Sequence, residues 1–257
     1  MGSRDDRLSV ADIRARIADA SFDDMGPLLD ELAGDNRATV ARLVATARRR
    51  HEREAADRER VLAMYRLARQ AGGDGVVVGV DEVGRGSVAG PLTVAAVALP
   101  DDPVIWGIDD SKRLTPQRRE ELAARIAEVA VAIGIAHVPP EDIDRDGMAH
   151  SLRRAMAEAI ANTGVSPDAV LIDGNPVHVH PREQTFTHGD GRFACIAAAS
   201  IVAKVTRDEI MVQADARYPG YGFAASKGYA SPEHIAAIRA HGLTDYHRAT
   251  FCQNFLR

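Results

Sequence analysis

The chain has very few cysteines, and its 257 residues contain no long apolar run. Its two cysteines, Cys195 and Cys252, are too few for a disulfide framework, and their spacing matches no zinc motif. We therefore expect both to be reduced and used for packing. No stretch approaches the roughly 20 apolar residues that a membrane-spanning helix needs. The charged first residues lack the apolar segment of a signal peptide, so the sequence predicts a cytoplasmic protein without a membrane partner.

An excess of positive charge is also missing. The formal net charge is −5, and all of it comes from residues 76–257, which carry 18 Lys and Arg against 23 Asp and Glu. Residues 1–75 carry 14 of each sign. An acidic domain is not typical of a nucleic-acid binder unless cations cover some of its carboxylates. Composition alone favours a function without a polyanion, whereas the motifs below favour covered carboxylates.

Residues 1–75 are predicted to form a helical N-terminal extension. Apolar residues recur at helical spacing within 10–32, where Ser21 and Asp23 are candidate caps for a second helix that starts near Asp24. Residues 35–70 contain neither proline nor glycine, which predicts one long charged helix. The glycine-rich segment 71–75 breaks this helix, and we place the domain boundary there.

A basic cluster, Arg48-Arg49-Arg50, lies within the long predicted helix. Such a cluster is usually a solvent-exposed helix face and only sometimes a phosphate contact. Because residues 1–70 carry this cluster but no strand-end acid flanked by glycine, we expect them to assist binding and to supply no catalytic group.

Residues 76–257 alternate strand and helix patterns, which predicts an α/β domain. The first two strands are separated by a short glycine-rich turn and can form a hairpin, so the sheet is predicted to be mixed. Trp106 is expected in the core. The predicted strands are 76–82, 92–99, 131–138, 169–173 and 184–188, and the predicted helices are 115–130, 141–162, 192–217 and one or two after 231.

Four acidic residues lie at strand ends or beside a helix start. Asp81 and Glu82 end an apolar strand, Asp173 ends another, and Asp190 precedes the helix near 192. Carboxylates at the end of a buried strand are costly unless a cation pairs with them, and Mg²⁺ prefers carboxylate oxygens. One Asp-Glu pair alone would more often be solvated. Since sites form at strand ends in such sheets, the four together predict a two-metal site.

Asp81 and Glu82 pose a geometric problem, because adjacent strand residues point to opposite faces of a sheet. Both reach one site only if the strand ends or bulges at Glu82. The glycines at 84 and 86 favour an ending there.

Two other motifs have ordinary explanations. Residues 84–90 nearly form a dinucleotide-binding fingerprint, but the glycine spacing is wrong and a proline and a strand follow where a helix is required. This makes a nucleotide-dependent oxidoreductase a poor interpretation. His178, His180 and His188 are clustered, and the His-x-His pair at 178 and 180 is typical of some metal sites. No third metal ligand lies at a recognisable spacing from that pair, so a loop or strand-edge cluster is the simpler interpretation.

Taken in order, the motifs resemble those of ribonuclease HII, the type 2 ribonuclease H. The resemblance covers about 76–252 and begins with Asp-Glu followed by Gly-Arg-Gly. It continues through Asp110-Ser111-Lys112, Leu171-Ile172-Asp173-Gly174, His188-Gly189-Asp190, the run from Ala197 to Asp208, Lys227-Gly228-Tyr229, His234, and His247-Arg248 before Phe251.

The resemblance implies roles for individual residues. The metal-binding and catalytic acids would be Asp81, Glu82, Asp173 and Asp190. The loop whose backbone reads the 2′-hydroxyl would be Gly84, Arg85 and Gly86. The aromatic residue that packs on the sugar of the following deoxynucleotide would be Tyr229. The segments that hold phosphates would include Lys112, Ser200 and Lys204.

The resemblance further implies a ribonuclease H-like mixed sheet flanked by helices, with the helical extension at 1–75 and the catalytic domain at 76–257. The expected enzyme is an endonuclease that uses Mg²⁺ or Mn²⁺, with two ions when substrate is bound. It would cut the RNA strand of RNA–DNA hybrids, and cut 5′ of ribonucleotides embedded in duplex DNA, leaving 3′-hydroxyl and 5′-phosphate ends. A monomer acting in ribonucleotide excision repair is expected.

Two alternatives remain beside this interpretation. Another metal nuclease of the ribonuclease H superfamily, such as a resolvase, would have no 2′-hydroxyl for the Gly-Arg-Gly loop to read. A non-catalytic hybrid-binding module would not need all four acids.

Overall fold

A computed structural model describes residues 8–256 of the chain. These residues divide into two compact units, with the division between Arg60 and Val61. The division falls inside one long helix, α3, which spans Ala38–Gly72. The last part of α3 therefore belongs to the second unit.

The first unit contains helices α1 (Val10–Asp19) and α2 (Phe22–Leu32) and the beginning of α3. Ser21 caps α2 by accepting a hydrogen bond from the backbone of Asp24, which confirms the first of the two candidate caps. Asp23 lies in the first turn instead, because the helix begins at Phe22 and not near Asp24. The core of this unit is apolar, as the helical spacing predicted. Its buried members include Ile13, Ile17, Leu29 and Val40.

The arginine cluster of α3 makes contacts within the first unit. Arg48 pairs with Asp30 at 2.9 Å, Arg49 lies 3.3 Å from the hydroxyl of Thr46, and Arg50 lies 3.4 Å from the carbonyl of Ile17. The phosphate interpretation is therefore not needed to account for these three side chains.

The second unit is built on a five-stranded mixed sheet with the order β3-β2-β1-β4-β5. Strands β1, β2 and β3 are antiparallel, whereas β4 runs parallel to β1 and β5 parallel to β4. This confirms the predicted hairpin and mixed sheet. The strands are β1 (Val77–Val83), β2 (Leu92–Ala98), β3 (Ala132–Val138), β4 (Ala169–Asp173) and β5 (Glu183–Phe186).

Seven helices belong to the part of the second unit that is described. Helix α6 packs on one face of the sheet through residues such as Leu152 and Met156, and α4 and α7 pack on the other with the end of α3. The helices are α4 (Pro116–Val129), α5 (Pro140–Asp146), α6 (Met148–Asn162), α7 (Ala194–Arg217), α8 (Phe223–Ser226), α9 (Pro232–His241) and α10 (Ala249–Cys252).

Helix α7 approaches the sheet unusually closely at Gly79 in the middle of β1. A Cβ atom on Gly79 would overlap the backbone of Cys195 and Ile196 in the first turn of α7. The absence of a side chain at Gly79 thus lets the start of α7 lie against β1. This contact places the segment before α7, which carries Asp190, beside the end of β1.

Two expectations need correction. The single helix predicted at 141–162 is two helices, because Gly147 takes a positive φ of 82° and ends α5. Trp106 is not in the core, since 38% of its surface is exposed.

The other sequence expectations on packing hold. Cys195 and Cys252 are buried and unbonded to each other. Within residues 8–256, no helix has the length and apolar character needed to cross a membrane.

Candidate active site

Asp81 and Glu82 lie near the carboxyl end of β1. The strand does not end or bulge at Glu82 as expected, because regular pairing with β2 continues through Val83 opposite Thr93. Pairing with β4, in contrast, stops at Val80 opposite Ile172. The end of β1 is therefore free on the side that faces Asp173, and both acids interact electrostatically with Asp173 although they alternate along the strand.

A hydrogen bond to the backbone of Gly189 holds Asp173 close to the turn that carries Asp190. Asp173 is the last residue of β4, and because β4 is parallel to β1 its carboxylate reaches the same sheet edge. Its Oδ1 accepts a 2.7 Å hydrogen bond from the backbone N–H of Gly189. Asp190 follows in a 3₁₀ turn and is only 4% exposed. The turn thus delivers a second acid beside the first.

The carboxylates oppose one another's ionisation. Burial raises the pKa of Asp81 well above its usual range, and the charges of Glu82 and Asp173 raise it further. Burial also raises the pKa of Glu82, with Arg85 opposing and Asp173 adding to the rise. The pKa of Asp190 is raised by burial and then by Asp110 and Asp173. A cation among these groups would favour their charged forms.

Lys112 partly supplies that positive charge. It lies in a short 3₁₀ turn, Ser111–Arg113, with its ammonium 3.6 Å from Asp190 and 3.8 Å from Asp110. Burial alone would lower the pKa of Lys112, but the charges of Asp110, Asp190 and the neighbouring acids outweigh this and raise it. Asp110, a fifth acid at this edge, was quoted in a motif but given no role in the sequence interpretation.

The acids fit a divalent cation by their donor chemistry. Carboxylate oxygens are the ligands that Mg²⁺ and Mn²⁺ take, and the raised pKa values reflect repulsion that a bound cation would relieve. Among residues 8–256, no three His, Cys, Asp or Glu side chains are already grouped so as to hold a metal ion by themselves. The fit therefore rests on the donor chemistry and the charge of the acids at this sheet edge.

The glycine-rich loop, defined here as residues 84–91, follows β1 directly. Gly84 takes a φ of 85°, and a Cβ there would overlap the guanidinium of Arg207. Gly86 differs, because a Cβ there would meet no atom within 4 Å. Packing within the protein thus requires glycine at 84 but not at 86, where the loop faces open space. The Arg85 side chain is 58% exposed and lies 3.6 Å from Glu82.

Two arginines that carried no role in the sequence interpretation hold this loop. Arg207 and Arg248 are fully buried. Arg207 donates to the carbonyls of Ala89, Pro91 and Lys227, and Arg248 donates to those of Arg85, Ser87 and Gly90. Among the described residues, neither forms a salt bridge with a carboxylate, and burial lowers the pKa of Arg248 to about 10. Both arginines stood inside quoted motifs, which was the only sequence signal for them.

The remaining predicted residues are less uniform. Tyr229 is 42% exposed, and the guanidinium of Arg207 lies 5.8 Å from its ring centroid. Ser200 is buried and bonds to the hydroxyl of Ser111 at 2.9 Å and to Asp81. Lys204 donates to Asp208 at 2.6 Å. Ser200 is thus placed against an acid, and the ammonium of Lys204 already has an anionic partner.

The histidine cluster predicted as ordinary is divided in the structure. His178 and His180 lie near Glu183, whose carboxylate accepts backbone N–H groups of Val177, His178 and Val179. His188 takes a left-handed backbone conformation just before the Asp190 turn.

Two family models match the chain. The one described as ribonuclease HII matches residues 78–254, and the one described as the ribonuclease HII N-terminal domain matches residues 9–72. Among similar relatives, the ribonuclease HII of Geobacillus thermodenitrificans is 46% identical over 227 residues, covering 88% of both chains. That of Geobacillus kaustophilus is 43% identical over 247 residues, covering 95% of this chain and 94% of the relative.

Solved structures share the fold. The ribonuclease H2 of Pyrococcus horikoshii superposes with a TM-score of 0.60 at 24% identity, covering 70% of this chain and 96% of that one. The ribonuclease HII of Archaeoglobus fulgidus, solved in complex with PCNA, gives a TM-score of 0.58 at 28% identity, covering 67% and 93%.

Proposed function

The chain belongs to the ribonuclease HII family and is an endoribonuclease, and from that premise we propose how its own residues recognise and cut their substrate. The proposed reaction is hydrolysis of the RNA strand of RNA–DNA hybrids and of the phosphodiester 5′ of a ribonucleotide embedded in duplex DNA. The products are a 3′-hydroxyl and a 5′-phosphate.

The observation that carries this proposal is the placement of acids beside the glycine-rich loop. Asp81 and Glu82 on β1, Asp173 on β4 and Asp190 before α7 are all at the edge from which residues 84–91 emerge. A reacting phosphate at the acids would therefore have the loop beside its ribose. We propose that the acids hold Mg²⁺ or Mn²⁺.

The metal chemistry can be stated briefly. Two divalent cations, when bound with substrate, stabilise the attacking and leaving oxygens of an in-line displacement. The chain's own part is to hold the acids in place. The hydroxyl of Ser200 orients Asp81, and the backbone of Gly189 orients Asp173. Lys112 balances the acids' charge and is exposed enough to contact a phosphate.

The loop supplies the choice of RNA over DNA. Gly86 leaves space for a ribose to approach the backbone, where polar groups of residues 84–86 would bond the 2′-hydroxyl. Arg207 and Arg248 keep the loop rigid through hydrogen bonds to its backbone carbonyl groups. A site built to bond a hydroxyl rejects the analogue that lacks it, since its own polar groups are left unpaired.

Tyr229 supplies the preference for a junction. Its half-exposed ring lies next to the loop, because Gly228 accepts hydrogen bonds from the backbone of Val88 and Ala89. We propose that the ring packs on the sugar that follows the ribonucleotide. A 2′-hydroxyl on that sugar would stand in the way of the ring, so deoxyribose is preferred there.

The biological role that follows is removal of single ribonucleotides and residual primers from DNA. We propose a monomer that acts in the cytoplasm and that uses residues 1–75 to assist binding. Lys204 is proposed to contact a phosphate when substrate displaces it from Asp208.

A gel assay tests the reaction directly. The substrates are a duplex with one ribonucleotide, a duplex with a long RNA stretch and an all-DNA duplex, each with Mg²⁺, Mn²⁺ or excess chelator. We expect cleavage 5′ of the single ribonucleotide, no cleavage of DNA and none in chelator. Undiminished cleavage in chelator would overturn the metal proposal.

A further inference from the structure

Two buried histidines, His234 and His247, lie next to the backbone of Tyr229 and have no part in the chemistry proposed above. His234 on α9 is fully buried, and His247, just before α10, is 4% exposed. Their Nε2 atoms are 3.1 Å apart. The aromatic rings of Phe223 and Tyr221 pack against them. Their position raises the question of what a buried imidazole pair does so close to a substrate-binding residue.

The direction of every hydrogen bond in this pair is determined. Nδ1 of His234 lies 2.8 Å from the carbonyl oxygen of Tyr229, which can only accept, so Nδ1 carries the proton. In a neutral ring Nε2 of His234 is then an acceptor, and Nε2–H of His247 donates to it. Nδ1 of His247 is left as an acceptor and receives the backbone N–H of Thr244 at 3.0 Å. The hydroxyl of Thr244, 2.9 Å from the same nitrogen, accepts from the backbone N–H of Tyr246 and donates to Nδ1.

The result is a one-way relay from Thr244 through His247 and His234 to the carbonyl of Tyr229. All four ring nitrogens are satisfied by this assignment. A further proton on His247 would face the Thr244 N–H, and one on His234 would face the His247 N–H. Burial lowers the pKa of both rings, that of His247 to about 4, in agreement with a neutral pair.

The relay adds a hydrogen bond at the Tyr229 carbonyl to the bonds that join this segment to the glycine-rich loop. On the loop side, the carbonyl of Gly228 accepts from the backbone of Val88 and Ala89. At the next peptide group, the carbonyl of Tyr229 accepts from Nδ1–H of His234 and from the backbone N–H of Ser231, both at 2.8 Å. The backbone on either side of the Tyr229 Cα is therefore bonded to a different element, which fixes the direction in which the ring leaves the chain.

We propose that His234 is a specificity-determining positioning residue, which orients Tyr229 for the deoxyribose at an RNA–DNA junction by donating to the Tyr229 carbonyl, and that His247 fixes the tautomer in which His234 can donate. The inference rests on the proposed role of Tyr229. It assigns no contact with substrate to either histidine.

Three substitutions of His234 test the relay, because they differ in which of the two side-chain hydrogen bonds of His234 they retain. Asn keeps an amide N–H near the place of Nδ1 and can still donate to Tyr229, although it cannot reach His247. Gln extends toward the place of Nε2 and loses the donor near Nδ1, and Ala loses both. His241→Asn, on an exposed histidine of the same helix, is the matched control.

The readout is the ratio of two cleavage rates, on the single-ribonucleotide duplex and on the long RNA stretch, from one enzyme preparation. This ratio does not depend on the fraction of protein that is folded. We expect His234→Asn and His241→Asn to keep the wild-type ratio within about twofold. His234→Gln and His234→Ala should lower the ratio about tenfold, as far as Tyr229→Ala does. Without the hydrogen bond from Nδ1, the ring of Tyr229 is no longer held in the orientation that packs on the deoxyribose.

The double variant His234→Ala with Tyr229→Ala should lower the ratio no further than Tyr229→Ala alone. The proposal is overturned if the Asn, Gln and Ala variants all give one ratio, or if the double variant falls clearly below Tyr229→Ala. If wild type cuts neither duplex, the proposed function itself fails.

A spectroscopic test stands apart from activity. Long-range ¹⁵N–¹H spectra of the imidazoles at neutral pH should show a protonated Nδ1 on His234 and a protonated Nε2 on His247, each assigned by loss of signals in its own substitution. The opposite tautomers, or a doubly protonated ring, would contradict the relay even in an active enzyme.

Discussion

At the residue scale, Asp81 is the point where stability and activity conflict. It is buried, and its carboxylate faces the like charges of Glu82 and Asp173. Replacing it with Asn keeps an oxygen that can accept the 2.7 Å bond from the Glu82 backbone. Asp81→Asn should abolish cleavage, and in chelator it should raise the free energy of unfolding by about 1 kcal/mol, as removal of strained functional groups commonly does.

The pH dependence of this gain has a definite sign. The pKa of Asp81 is higher in the folded than in the unfolded chain, so the folded state binds more protons and wild type loses stability as pH rises through the raised pKa. The advantage of Asp81→Asn in melting temperature should therefore be small near pH 4 and grow toward neutral pH, reaching about 2–4 °C. Thermal unfolding of both proteins in chelator checks this, and an advantage that shrinks with rising pH would contradict it.

Tyr229 is the residue on which substrate choice depends in our proposal. Tyr229→Ala should slow cleavage of the single-ribonucleotide duplex about tenfold more than cleavage within a long RNA stretch, because only the junction uses the ring. Tyr229→Phe keeps the ring and should keep the ratio. Rates on both duplexes measure it. Equal slowing on both would make Tyr229 a packing residue.

At the element scale, two glycines of the glycine-rich loop, Gly84 and Gly86, differ in whether packing requires the absence of a side chain. Gly84 has a positive φ and no room for a Cβ beside Arg207, whereas Gly86 has neither restriction. Gly84→Ala should cost roughly 1–3 kcal/mol of stability. Gly86→Ala should leave stability nearly unchanged and still impair cleavage, because the added methyl occupies the space proposed for the ribose.

Chemical denaturation and initial rates separate the two loop variants. If Gly86→Ala cleaves the single-ribonucleotide duplex at the wild-type rate, the backbone of the loop does not approach the substrate there. A stable Gly84→Ala would mean that Arg207 can move aside at no cost.

At the scale of the whole molecule, the end of α3 matters more to the second unit than the rest of the extension. Val61 and Met64 are buried in the core with Ile105 and Ile108, and the hydroxyl of Tyr65 accepts the backbone N–H of Ile105 at 3.1 Å. A chain beginning at Arg60 retains these contacts. A chain beginning at Gly75, the boundary proposed from the glycine-rich break, loses them.

Both shortened chains keep all four acids, so we expect both to retain the catalytic groups. The chain from Gly75 should be less stable than the chain from Arg60 by several kcal/mol, since each buried side chain removed costs about 2–5 kcal/mol. Denaturant unfolding compares the two, and cleavage at saturating substrate tests the chain from Arg60. A folded but inactive chain from Arg60 would show that the first unit supplies more than binding.

Local patterns determined much of this protein. Apolar runs bounded by glycines predicted the mixed sheet. The strand-end positions of Asp81 and Asp173, with Asp190 just before a helix, predicted that acids would meet at one edge. These features depend on local periodicity and on the rule that parallel strands end at the same edge. The break at Gly147 was missed, because a single glycine within a helical pattern gives a weak local signal.

Only the tertiary structure decided the rest. That Glu82 stays in a regular strand depends on pairing with β2, which has no local signal. Nothing in the local sequence distinguishes Arg207 and Arg248 from exposed arginines, although both are fully buried. The His234–His247 relay joins residues 13 positions apart through a contact between their Nε2 atoms, which their spacing does not predict. Burial and hydrogen-bond direction arise from contacts between distant segments. The meeting of the acids at one sheet edge could therefore be predicted from the sequence, whereas the groups that hold the neighbouring segments in place could not.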